Sequence, residues 1–71
     1  MTLTRQEIDN RFTYHVPTDT QTVHYTLIRE FAKEFANRIN SLCPDSREKS
    51  LAFTKLDELV MWANASIARN K

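Results

Sequence analysis

The sequence contains no glycine. That absence excludes the P-loop and the dinucleotide-binding fingerprint, because both need glycine where the backbone closes on a phosphate. Any phosphate bound here must be held by side chains and a helix N-terminus. Cys43 is the single cysteine, so no disulfide can form within the chain. Two histidines, His15 and His24, are a poor basis for a zinc site. Long apolar runs are missing as well. The longest, Leu59 to Ala63, falls far short of the about 20 residues that span a membrane. Nor is there an excess of either charge: ten Lys and Arg against nine Asp and Glu leave a formal net charge of +1. A duplex-DNA binder that neutralises many phosphates is normally strongly basic, so that class is disfavoured. A small anion needs only a few well-placed cations and stays compatible. The lone thiol and the lack of a secretory signal fit a chain in a reducing cytosol.

What is present is 71 residues, 41% of them hydrophobic, which allows one small domain over residues 1–71. A domain of this size buries only about 60% of its chain surface and is marginal alone. Small domains compensate with disulfides, a metal or oligomerisation, and here oligomerisation is the means left.

The local signals predict an all-α chain. Thr4 with Glu7 has capping-box spacing and starts a short helix to Asn10. Residues 11–17, "RFTYHVP", read as extended, since Pro17 disfavours helix at Val16. Thr18 or Asp19 caps a long helix to about Leu42, with Ile28, Phe31, Phe35, Ile39 and Leu42 on one apolar face and Arg29, Lys33 and Asn40 opposite. Cys43-Pro44 breaks it. Asp45 or Ser46 caps the last helix, Asp45 with Glu48 repeating the capping-box spacing, and this helix runs to about Arg69. On it Ala52, Leu56, Leu59, Val60, Ala63 and Ile67 share one face, and Arg47, Ser50, Thr54 and Glu58 form a polar stripe nearly opposite. Leu51, Met61 and Trp62 lie beside that stripe, with no partner in a two-helix hairpin, which points to a second interface between subunits. The expected architecture is an antiparallel helical hairpin with a short N-terminal helix, assembling as a compact homo-oligomer.

Three constellations carry chemistry, each with a plainer explanation beside it. Arg11, Phe12, Tyr14 and His15 combine flat rings with a cation, which suits stacking on nucleobases, or else simply packs the arm onto the hairpin. Arg29 and Lys33 are cations four residues apart on one face. Something anionic between them would relieve their repulsion, as would Glu30 and Glu34. Arg47, Ser50 and Thr54 stand at i, i+3 and i+7 near a helix N-terminus, the makings of a phosphate site unless Arg47 pairs with an acid. Cys43 has no neighbouring base with a known local signature and reads as a turn thiol, and His24 as an interface histidine. Asp57 and Glu58 are adjacent and diverge, so they make no acid–base pair. Nothing in these patterns calls for an enzyme, a cofactor or a metal.

The segments "PDSREKSLA", "TKL" and "MWANASIA", in this order and with "RFTYHVP" upstream, carry a more specific likeness. Over Arg11 to Asn70 the chain resembles the small phage-encoded proteins that defeat CBASS, whose hairpin domain is shared with sponges against the Thoeris defence. The resemblance implies a protein that binds a cyclic nucleotide messenger in the host cytoplasm and does not cleave it. It also implies a helical homohexamer that takes cyclic dinucleotides such as 3′,3′-cGAMP and, in some members, cyclic trinucleotides at separate sites. By the same resemblance Tyr14 stacks on a base and Arg29, fifteen positions on, contacts phosphate. Arg47, Ser50 and Thr54 match the motif without a ligand assigned to them.

Two readings compete with this one. A helical protein–protein adaptor would use Leu51, Met61 and Trp62 on a host protein and bind no nucleotide. A helix-turn-helix regulator fits poorly, because the helices are too long and the charge too balanced.

Overall fold

A computed structural model describes residues 2–14 and 16–70. All regular structure among these residues is helical: α1 (Arg5–Phe12), α2 (Asp19–Leu42) and α3 (Arg47–Arg69).

Each helix starts where side-chain oxygens can take up the first orphaned N–H groups. At α1 the capping box forms as predicted: Glu7 N donates to Thr4 Oγ1 at 3.1 Å, and Thr4 N donates to Glu7 Oε2 at 3.2 Å. The helix continues two residues past the expected Asn10, because Arg11 in its last turn suits the negative end of the dipole. Thr13 then turns extended. At α2 the cap is Thr18 rather than Asp19, and Gln21 returns the second bond of a capping box that the sequence reading did not anticipate. At α3 the expected Asp45–Glu48 box does not form. Ser46 is the cap, accepting from Lys49 N at 3.1 Å, while Asp45 lies one position too early and pairs with Lys49 Nζ at 3.0 Å.

The hairpin is tied at both ends. At the open end Gln21 Nε2 donates to Ile67 O at 2.9 Å, and at the loop Lys49 Nζ donates to Asn40 O at 3.0 Å. Between these ties Tyr25, Ile28, Ala32, Ala36 and Ile39 of α2 are half-buried, as are Ala52, Phe53, Leu56, Val60, Ala63 and Ile67 of α3. This corrects the expected faces. Phe31, Phe35 and Leu42 are 64%, 58% and 79% exposed, so only Ile28 and Ile39 of the predicted α2 face turn inward. The helix presents its small residues, Ala32 and Ala36, to its partner and turns the bulky rings away. On α3, Leu59 is exposed and Phe53, not foreseen, is half-buried. Leu51, Met61 and Trp62 are exposed, as expected.

The molecule measures 47 × 33 × 13 Å, so it is one helix thick. A single layer of helices cannot enclose a core. Among the described residues no apolar side chain is buried, and Gln21, at 8% exposure, is the one buried residue.

Candidate functional site

The arm between α1 and α2 borders a groove at the open end of the hairpin. Asn10 Nδ2 donates to Arg69 O at 3.2 Å and fastens the end of α1 to the end of α3. This leaves an open cavity of about 420 Å³ lined from three elements. Asn10, Arg11, Thr13, Tyr14 and Pro17 come from α1 and the arm, Tyr25 from α2, and Ala65, Ala68 and Arg69 from α3. The lining therefore holds two arginines and no carboxylate. The neighbouring cavities differ: one sets Glu7 and Asp9 beside Arg69, another sets Glu30 and Glu34 beside Lys33, and a third, around His24, has no Lys, Arg, Asp or Glu.

No acid among the described residues forms an ion pair with the cations of the groove. Among the described residues the ion pairs join Arg38 to Glu34, Lys49 to Asp45 and Lys55 to Glu58. None of them engages Arg11 or Arg69, nor Arg29, Lys33 or Arg47. Glu34, which could have offset Lys33, is turned to Arg38 at 3.2 Å.

Of the residues singled out from the sequence, Arg11 and Tyr14 come together in this groove. His15 lies outside the described residues. Arg29 stands on α2 one turn beyond Tyr25, exposed, and does not line the groove. Lys33 lies a further turn along, in a shallow depression with Phe31 and Asn37. Arg47, Ser50 and Thr54 share an exposed stripe near the loop end of α3. From Thr54 to Ala65 is about 16 Å along the helix, so this stripe and the groove are separate places in one chain. Its hydroxyls are also engaged: Ser50 Oγ donates to Ser46 O at 3.3 Å and Thr54 Oγ1 to Ser50 O at 3.1 Å. Tyr25 and Arg69 were missed by sequence reasoning, since nothing local marks them. Only the fold brings three distant segments to one groove.

The side of the hairpin that carries Leu27, Phe31 and Phe35 at successive i+4 positions is apolar and exposed. Leu51, Leu59 and Trp62 of α3 are exposed as well.

Fold and site together define a class: a single-layer helical hairpin whose N-terminal arm borders a cationic, aromatic groove. Residues 4–68 match the family described as "Acb2/Tad1, hairpin domain", and the chain belongs to that family. It is the family of anti-CBASS and anti-Thoeris sponges, binding domains rather than catalytic ones, in line with the resemblance carried by the motifs. No curated protein and no solved structure matches the chain.

Proposed function

We propose that this protein is a sponge for cyclic dinucleotides such as 3′,3′-cGAMP. It holds the messenger uncleaved in the cytoplasm of the infected host, so that the CBASS effector is never activated. The observation that carries this reading is the arm groove, which sets Tyr14 beside two arginines with no carboxylate in the lining. A ligand with planar bases and phosphates suits such a lining, because bases stack on rings and phosphates pair with guanidinium groups.

The working unit in this reading is a symmetric homo-oligomer, a hexamer by the resemblance above. One chain exposes 6176 Å², about a third more than the roughly 4,600 Å² of a compact protein of its mass. The surplus equals about two interface faces of the standard size of about 800 Å² per partner. A twofold axis shows each residue twice, so one Tyr14 and one Arg29 per chain give two stacks and two phosphate contacts. Lys33 adds a second cation one turn beyond Arg29 on α2, and His15 adjoins Tyr14 in sequence. A threefold axis would present three copies of Arg47, with Ser50 and Thr54, to a cyclic trinucleotide.

A useful sponge needs nanomolar affinity, about −12 kcal/mol. Two stacks at about 1–3 kcal/mol each do not reach it. Charge-assisted phosphate contacts of about 1.5–3 kcal/mol each close much of the gap. Native mass spectrometry with a panel of cyclic di- and trinucleotides tests the proposal. Retention of a cyclic dinucleotide is expected, with unchanged ligand released after protease digestion. Linear or hydrolysed product, or no retained ligand, would overturn it.

A further inference from the structure

Tyr25 has no part in the reading above, yet its position is unusual. It lies half-buried on α2, one turn after Gln21 and one turn before Arg29, and it lines the same groove as Tyr14. Its hydroxyl makes no hydrogen bond among the described residues, so packing alone would be served as well by phenylalanine.

The two rings reach the groove from different elements. Tyr14 sits on the exposed arm, whereas Tyr25 belongs to a helix held at that end by the Thr18–Gln21 box and by the Gln21–Ile67 bond. From α3 only the methyl groups of Ala65 and Ala68 stand beside Arg69, which leaves the space unfilled. A ring already fixed by its helix costs little further ordering when a ligand arrives, unlike a ring on an extended segment.

We infer that Tyr25 is a second base-contacting residue: the fixed aromatic wall on which the planar base of a phosphate-bearing ligand rests, while Tyr14 contacts it from the arm. This rests on the reading of the protein as a cyclic-nucleotide sponge and adds a residue that neither the motifs nor the resemblance assigned. Every base has a π-face, so Tyr25 contributes affinity rather than choice of base.

Proton NMR and calorimetry with 3′,3′-cGAMP and the full chain test this. In the wild-type complex, nuclear Overhauser contacts between the Tyr25 ring and base protons are expected. Tyr25→Phe keeps the ring face and binds within about twofold of wild type, whereas Tyr25→Leu, which keeps an apolar side chain in the hairpin, weakens binding about tenfold or more at an unchanged melting temperature. Should Tyr25→Leu fail to fold, the wild-type NMR contacts decide alone. If the wild type binds the ligand but its Tyr25 ring shows no contact with base protons, the inference falls and the sponge reading stands. If the wild type binds no cyclic nucleotide, both fall.

Discussion

Tyr14 is 82% exposed, just after Thr13 where the backbone leaves α1 and turns extended, so its ring contributes little to holding the chain together. Removing such a side chain should move stability by less than about 0.5 kcal/mol. Its loss removes both stacks of a ligand on the twofold axis and should nonetheless weaken 3′,3′-cGAMP binding by about thirtyfold or more, since each stack is worth about 1–3 kcal/mol. Calorimetry on Tyr14→Ala, beside its thermal unfolding, separates the two effects, and equal affinity at equal stability would remove Tyr14 from the site. That Arg11 and Tyr14 share one place was legible in the sequence, because a ring and a cation stand close together in "RFTYHVP". Arg69 and Tyr25 were not. Fifty-five positions separate Tyr14 from Arg69, and only the antiparallel return of α3 brings them to one groove.

At the scale of the helices, Lys49 shows how a bond can matter more than the ion pair beside it. Its side chain is 10% exposed while that of Asp45, its partner at 3.0 Å, is 99% exposed. A pair with one member fully in solvent gains little. The same Nζ also donates to Asn40 O, one of the carbonyls at the end of α2 that lack a helical partner. A charged donor there both fills that bond and opposes the helix dipole. Lys49→Met, which keeps the aliphatic stem, is therefore expected to cost about 1–2 kcal/mol, and Asp45→Asn less than about 0.5 kcal/mol. Urea unfolding at one fixed protein concentration checks the order, and equal costs would show that the ion pair carries the effect. Helix ends were read well from sequence, because capping is local chemistry. Faces were read less well. Phe31 and Phe35 recur with the same 3.6-residue period as Ala32 and Ala36, and periodicity reports that a face exists without saying which partner it meets.

The whole molecule raises the question of what replaces a core. A layer 13 Å thick, with no buried apolar side chain among its described residues, gains too little from burial to offset the ordering of two long helices. In the homo-oligomer proposed above, the exposed rings of Phe31 and Phe35 form the core between chains rather than a surface defect of one chain. Folding and assembly should be linked, so that the wild-type melting temperature rises with protein concentration. A carboxylate placed in that apolar face cannot be desolvated without a partner. Phe35→Glu should accordingly give a monomer by analytical ultracentrifugation and lose most of its helical circular dichroism at micromolar concentration. Because the arm groove of one chain holds Arg11 and Tyr14 but not Arg29, the same variant should also lose cyclic dinucleotide binding. A helical Phe35→Glu monomer that still binds the ligand with wild-type affinity would show that one chain suffices for both the fold and the site.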